Sequence, residues 1–327
     1  MHCMPTVRTD NERIAEFLLT VMVRLYTVHM RVLIFGGKGF MGRQFLQIFP
    51  DAILPSADIA DAVAVTKVLD SEKPDIVINC AGKTGTPNVD WCEDHKLETI
   101  RSNITGPLIL LEACLRRGIY WVHLSSGCVY EGDNGGCGYT EKDEPNFTGS
   151  FYSRTKAWSE HTLREFTDRT EDRGGILILR LRMPFDGSTH QRNLLMKLVK
   201  YPRVLDVANS ITFLPDFLIA AQVLIEKRAT GIFNVVNPGP ISPYRIVELY
   251  RDLINPEHQF ERLLLGSLSQ VVRAGRSNCI LSSEKLSRHG ITLHSAEDVV
   301  KIALLEMQMS PEAKEKQENM SKTCIQC

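Results

Sequence analysis

The feature that most narrows the fold is a glycine turn set directly behind an apolar tetrad. Val32-Leu33-Ile34-Phe35 runs without a break into Gly36-Gly37-Lys38-Gly39-Phe40-Met41-Gly42. Four consecutive apolar residues suit a strand buried on both faces, as inside a parallel sheet covered by helices. The glycines at 36, 39 and 42 follow a GxxGxxG spacing. They allow a tight turn and a close backbone approach, and the helix opening there offers amides to a pyrophosphate. Behind the first strand of a βαβ series, this is the pattern of a dinucleotide site.

The rest of the chain supplies that series. Ile76-Val77-Ile78, Trp121-Val122-His123-Leu124 and Ile176-Leu177-Ile178-Leu179 read as further buried strands. They alternate with helical stretches at 42–49, 62–69, 103–117 and 152–166, and Ala52-Ile53-Leu54 supplies the second strand. Such alternation predicts an α/β fold, a doubly wound parallel sheet of the Rossmann type. After Arg182 the rhythm loosens. A strand at 232–236 and helices at 246–253 and 296–307, separated by Pro and Gly, predict a smaller C-terminal substrate-binding region. The expected organisation is a dinucleotide-binding domain over 30–182 and a substrate region over 183–309, partly interleaved with it. A poorly ordered extension (1–29) and a charged, disordered tail (310–327) flank them.

Composition excludes several classes. Apolar residues are 43%, charged residues 24%, and the net charge is −1, which leaves no electrostatic footprint for nucleic acid. No apolar run reaches the roughly 20 residues of a membrane helix. The apolar stretch 15–28 is broken by Glu16 and Arg24 and preceded by Asp10 and Glu12, so it reads as an extension and not a signal peptide. The ending Cys324-Ile325-Gln326-Cys327 fits a prenylation box poorly. Nine scattered cysteines indicate reduced thiols in the cytoplasm and not a disulfide scaffold, and no His/Cys metal-ligand spacing joins them to the nine histidines.

Tyr152 and Lys156 form a YxxxK motif, and on a helix residues i and i+4 share a face. A cation beside a phenol favours the phenolate, which fits Tyr152 for proton transfer near neutral pH. Ser125-Ser126 lies at a strand end, 26 residues before Tyr152. No acid closes the second strand to hold a ribose 2′-hydroxyl. Lys38 and Arg43 lie near the turn, where they meet a 2′-phosphate or remain solvated. NADPH is therefore preferred, with NADH the alternative. Asp58-Ile59 and Cys80-Ala81-Gly82 are placed to line the adenine and pyrophosphate, or to serve as a helix cap and a strand end. Asn103 is the further cofactor candidate.

Glycine turn, strand-end Ser and downstream YxxxK together resemble the extended short-chain dehydrogenases/reductases. That resemblance implies that Ser126, Tyr152 and Lys156 polarise a carbonyl beside the nicotinamide. Longer strings are more specific. Gly85-Thr86-Pro87-Asn88-Val89-Asp90-Trp91-Cys92-Glu93, Pro145-Asn146-Phe147-Thr148-Gly149-Ser150-Phe151-Tyr152-Ser153, Leu179-Arg180-Leu181-Arg182-Met183-Pro184 and Arg276-Ser277-Asn278 resemble nucleotide-rhamnose synthases. The similarity, over about 30–307, is to the plant-type bifunctional UDP-4-keto-6-deoxyglucose 3,5-epimerase/4-reductases, relatives of bacterial dTDP-4-dehydrorhamnose reductase.

By that resemblance Cys128 and Lys197 form the epimerase pair, and Asn209 and Arg276 contact the diphosphate or base. The implied substrate is a nucleotide sugar, UDP- or dTDP-linked, the cofactor NADPH and the product a nucleotide-β-L-rhamnose. A homodimer and functional coupling to a nucleotide-glucose 4,6-dehydratase follow as partner expectations. Cys128 otherwise reads as a small buried hydrophobe and Lys197 as a solvated helix lysine. Two alternatives share the cofactor motifs: a 4-keto-reductase without epimerase activity, and a non-catalytic NADP-binding regulatory subunit like methionine adenosyltransferase β.

Overall fold

A computed structural model describes residues 30–167 and 174–309. The expected N-terminal extension and C-terminal tail lie outside the described residues. Five parallel strands form the main sheet: β1 (Val32–Phe35), β2 (Ile76–Asn79), β3 (Tyr120–Ser126), β4 (Ile176–Leu181) and β8 (Gly231–Asn234), in the order β1-β2-β3-β4-β8. Val32 pairs with Ile76, Ile76 with Tyr120, Trp121 with Ile176 and Leu177 with Gly231. On the free edge of β1 the expected second strand shrinks to one bridge. Ile53 exchanges two 2.9 Å hydrogen bonds with Val32 and Ile34. Pro55, which has no N–H to give, stands two residues later.

Both faces of the sheet are covered, which is why its strands are apolar throughout. Ile34, Ile78, Val122 and Leu179 pack under Phe45, Phe217, Ala221 and Leu224. Leu33, Val77, Trp121 and Ile178 face the other way, against Val65, Leu69, Leu110 and Leu163. Each such side chain contributes roughly 1.5–3 kcal/mol by leaving water. The covering helices begin where the sequence provides caps. Asp61 accepts from the amides of Val63 and Ala64 at the start of Ala62–Glu72, and Ser150 accepts from Ser153 at the start of Phe151–Arg164. The first helix, Phe40–Phe45, starts two residues before the expected onset because Gly39, extended, already caps it.

The chain crosses from β4 into a second core and back. Helix Leu214–Glu226 and β8 return to the main sheet, while Phe185, Leu195, Val204, Ile246, Val299 and Leu304 make a separate cluster. Two short parallel pairs accompany it: β5 (Pro184–Phe185) with β7 (Thr212–Phe213), and β6 (Arg203–Leu205) with β9 (Glu261–Leu263). The chain leaves β1 toward Ile53 on one side and returns as β2 on the other. That reversal opens a crevice at the carboxyl ends of β1 and β2, where ligands of open α/β sheets sit.

Candidate active site

The crevice is a cleft of about 650 Å³. Its floor is the glycine turn. Gly36 has φ +73°, and a Cβ there would stand 2.5 Å from the amide nitrogen of Ala81. A Cβ on Gly42 would stand 2.3 Å from the Gly36 carbonyl oxygen, which accepts the turn-closing bond from Gly39 N at 2.9 Å. Gly36, Lys38, Gly39, Phe40 and Met41 line the cleft, and Gly42 is buried behind them. Asp58, Ile59, Cys80, Ala81, Gly82 and Asn103 line it too. Pro55 and Ser56, neither of them acidic, follow the Ile53 bridge along the same wall. Arg43, paired with Lys38 in the sequence reading, is exposed and not a lining residue.

Asn103 sits on a single π-type turn, Arg101–Thr105, that precedes helix Gly106–Arg117, and wide turns of this kind often mark sites. Its Oδ1 accepts from Lys83 N (2.8 Å), and its Nδ2 donates to Lys83 O (3.0 Å) and Thr155 Oγ1 (3.2 Å). Thr155 lies on the helix that carries Tyr152 and Lys156, so Asn103 ties the cleft's loop to that helix. Glu93 holds the same helix by its end, accepting from Phe151 N at 2.6 Å.

Ser126, Tyr152 and Lys156 all line the cleft. Ser126 ends β3, and its Oγ accepts from Cys128 N at 3.2 Å. Tyr152 is 8% exposed and Lys156 6%. Burial pushes the Tyr152 phenol far above its ordinary value, with Cys128 adding to the rise and Ser126 and Arg182 opposing it. Lys156 Nζ is directed to the Leu124 carbonyl (3.0 Å), and burial lowers its amine. The phenol is thus poised as a proton donor. Below it, Asn79 Nδ2 donates to Nδ1 of the fully buried His123, which burial keeps well below its usual value and neutral.

Cys128 lies one residue beyond Gly127 on a 3₁₀ turn, Gly127–Val129. It is half-buried against the Val129, Tyr139, Val236 and Leu281 cluster and is not a lining residue. Lys197, on the short helix Leu194–Leu198 capped by Asn193, does line the cleft together with Arg192. Burial, with the neighbouring Arg192 charge, lowers its amine.

Asn209 and Arg276 are placed differently from the sequence expectation, for neither lines the cleft. Asn209 is 1% exposed, accepting from Arg182 (2.6 Å) and Cys279 N (3.0 Å) and donating to Val207 O and Asn278. Arg276 forks onto both Asp90 carboxylate oxygens at 2.8 and 3.0 Å, and this pairing holds Asp90 below the usual carboxylate range. The sequence reading also missed a buried pair beneath Ser126. Arg180 contacts Glu160 at 2.5 Å, and Ser125 donates to Glu160 at 2.6 Å. An arginine inside an otherwise apolar strand, and a Glu one turn beyond Lys156, were the available signals. Among the described residues no cluster of three metal-ligating side chains occurs, and no helix is long and apolar enough to cross a membrane.

The profile of the family described as "RmlD substrate binding domain" matches residues 30–211. A bifunctional dTDP-4-dehydrorhamnose 3,5-epimerase/dTDP-4-dehydrorhamnose reductase of Arabidopsis thaliana is 40% identical over 71% of this chain and 76% of its own length. A trifunctional UDP-glucose 4,6-dehydratase/UDP-4-keto-6-deoxy-D-glucose 3,5-epimerase/UDP-4-keto-L-rhamnose-reductase of the same plant is 36% identical over 79% of this chain, a match that covers only 39% of that relative. Among solved structures, the L780 UDP-rhamnose synthase of Acanthamoeba polyphaga mimivirus superposes with a TM-score of 0.79 at 28% identity, covering 85% of this chain and 99% of that one. A dTDP-4-dehydrorhamnose reductase of Bacillus anthracis in complex with NADP shares the fold at a TM-score of 0.71 and 20% identity, over 85% and 98% of the two chains.

Proposed function

The chain belongs to the RmlD substrate binding domain family, and from that premise we propose that it is an NADPH-dependent oxidoreductase acting on a UDP- or dTDP-linked 4-keto-6-deoxy sugar, with a 3,5-epimerase step before reduction. One observation carries the reading. The glycine turn, the Ser126-Tyr152-Lys156 group and Lys197 face a single cleft. The relatives whose names join epimerase and reductase support the two-step form.

The residues present fit a dinucleotide. Gly36 and Gly42 let the turn pack against backbone that a Cβ would strike, and the helix start beyond Gly39 offers amides suited to phosphate. Lys38 and Ser56 line the wall where the chain leaves the Ile53 bridge, which suits a 2′-phosphate, and the one carboxylate there, Asp58, stands two residues further on. When bound, the reduced nicotinamide supplies the hydride that reduces C4 of the sugar.

The ketone oxygen is held by Ser126 and Tyr152. Tyr152, a neutral phenol, donates its proton to that oxygen as C4 is reduced, and recovers one from solvent. Lys156, directed to Leu124 O, fixes the wall behind the ring. Before reduction, the same two hydroxyls stabilise the enolate formed when a proton leaves C3 or C5. Lys197 lines the cleft where such protons leave, and it fits this step. Cys128 returns a proton from the opposite side. The substrate's 4-ketone implies an upstream 4,6-dehydration.

A second reading, reduction without epimerisation, is favoured by the packing of Cys128 into the Val129–Leu281 cluster outside the lining. Incubation with UDP- and dTDP-4-keto-6-deoxyglucose and NADPH, followed by NMR, separates the two. The proposed activity gives a nucleotide-β-L-rhamnose with solvent deuterium at C3 and C5. Reduction without exchange leaves the second reading, and no NADPH oxidation on either sugar or on the epimerised 4-keto-L-rhamnose nucleotide overturns both.

A further inference from the structure

Arg192 lines the cleft, and neither the hydride step nor the proton steps proposed above use it. It is carried by the segment 186–193, which follows β5 and crosses to the glycine turn. Asn193 folds that segment into a closed loop, its Nδ2 donating to Asp186 O and Ser188 O, both at 2.7 Å. Ser188 donates to Asp186 Oδ1 from its amide (2.9 Å) and its hydroxyl (2.6 Å). Behind the loop, a Cβ on Gly187 would stand 2.4 Å from Glu306 Cβ, so the segment lies directly on helix Ala296–Met309.

The loop meets the glycine-turn helix at two points. The His190 ring stacks on Phe40, with centroids 4.8 Å apart and planes 22° from parallel. Gln44 Nε2 donates to Asp186 Oδ2 at 3.3 Å. Phe40 and Gln44 stand one turn apart on helix Phe40–Phe45, directly after Gly39. The Arg192 amide donates to His190 Nδ1 at 3.1 Å, which ties the stacked ring to Arg192. Phe40 lines the cleft and His190 does not, so His190 backs Phe40 from outside while the loop delivers Arg192 to the cleft beside the turn.

The charge of the lining calls for an anion. Lys38, Lys156, Arg192 and Lys197 line the cleft against one carboxylate, Asp58. Asp58 is engaged by Arg101 at 3.3 Å, and Lys156 is directed at Leu124 O. Among the described residues no carboxylate stands within ion-pair distance of the Arg192 guanidinium. A guanidinium matches phosphate oxygens as a fork, through charge-assisted hydrogen bonds.

We propose that Arg192 holds a diphosphate, that of the dinucleotide on the glycine turn, and that the 186–193 loop is the latch that presents it. This role rests on the dinucleotide reading of the cleft. A sugar nucleotide carries a diphosphate too, but the loop is anchored on Phe40 and Gln44 of the glycine-turn helix, which favours the dinucleotide's.

The test titrates full-length wild type, Arg192→Met, Arg192→Lys and His190→Ala with four ligands, by nicotinamide fluorescence or calorimetry. NADPH is the first, and NADH has the same diphosphate without the 2′-phosphate. UDP and dTDP stand for the substrate's diphosphate. Both side chains are exposed, so the variants should melt with wild type. Arg192→Met is expected to weaken NADPH and NADH alike, about 5- to 30-fold, the range of one charge-assisted contact in an open cleft. Arg192→Lys should recover part of the loss, and UDP and dTDP should change by less than about twofold. His190→Ala keeps the charge and removes the stack, so NADPH should weaken about two- to fivefold. NADPH affinity within twofold of wild type in Arg192→Met overturns the proposal. So does a loss confined to NADPH, which assigns the guanidinium to the 2′-phosphate, or one confined to UDP or dTDP, which assigns it to the substrate. Unchanged NADPH affinity in His190→Ala overturns the latch. Wild type that binds neither dinucleotide overturns the cofactor reading itself, and this role with it.

Discussion

Replacing Glu160 by Gln tests whether the polar layer beneath Ser126 is held by charge. Arg180 is 0% exposed and Glu160 2%, and the pair makes contacts of 2.5 to 3.1 Å. Ser125 adds a bond to the other carboxylate oxygen, and Arg180 reaches on to Asn234 of β8. Glutamine keeps the shape and removes the charge, leaving a guanidinium buried without its counter-ion. Breaking one side of such a pair costs about 3–5 kcal/mol. In a chain of this size that corresponds to a fall in Tm on the order of 10 °C. Replacing both partners with Met removes the stranded charge, so the double variant should recover more than half of the loss.

The pH dependence has a definite sign. Arg180 holds Glu160 below the ordinary carboxylate value of 4.5 against the opposing effect of burial. A depressed folded-state value means that the pair's stability is fully present above about pH 4.5 and is lost as pH falls through the lower, folded value. Urea unfolding at pH 7 and at a series of acid pH values measures both effects. A Glu160→Gln variant within 1 kcal/mol of wild type at pH 7, or an unchanged acid limb, would refute the reasoning.

Gly42→Ala places a methyl 2.3 Å from the Gly36 carbonyl and 2.5 Å from Gly37 Cα, backbone that cannot swing aside. The expected cost is about 1–3 kcal/mol of stability and a loss of NADPH affinity, read by thermal melting and by fluorescence titration. Tyr152→Phe removes the proton donor, and NADPH oxidation should fall at least 10²-fold while NADPH still binds. Cys128→Ala and Lys197→Gln should each lose solvent-deuterium incorporation at C3 and C5 but keep cofactor binding. Normal exchange in both variants would refute the assignment of these two residues to the epimerase step.

What the sequence disclosed and what it hid divide along the range of the interaction. Val32–Phe35 and Trp121–Leu124 are legible because a strand covered on both faces must be apolar at every position, a rule internal to the segment. The glycine turn is legible for a similar reason, since Gly36 and Gly42 answer to steric limits set within a few residues and by the next strand. The YxxxK pair is legible through helix spacing alone. Ile53 shows where local reading fails: its apolar triplet is real, but Pro55 and the single bridge to β1 reduce it to an edge contact. Nor does the strand pattern at 232–236 disclose that β8 adds to the main sheet beside β4, which requires the chain to cross back from the second core.

The polar partners of the site are hidden for a stronger reason. Arg182, Asn209 and Ser277 lie tens of residues apart and meet only because β4 ends beside the segment returning from the second core. Asn209 and Arg276, which resemblance offers as substrate contacts, are likewise held by residues distant in the chain, Asn209 by Arg182 and Arg276 by Asp90. The same long-range placement decides the state of Tyr152. Spacing alone pairs its phenol with Lys156, and a cation beside it fits the phenol for proton transfer. In the folded cleft burial raises the phenol. A phenol that delivers a proton to an alkoxide must be protonated at the start, and burial works in that direction while the cation of the motif works against it.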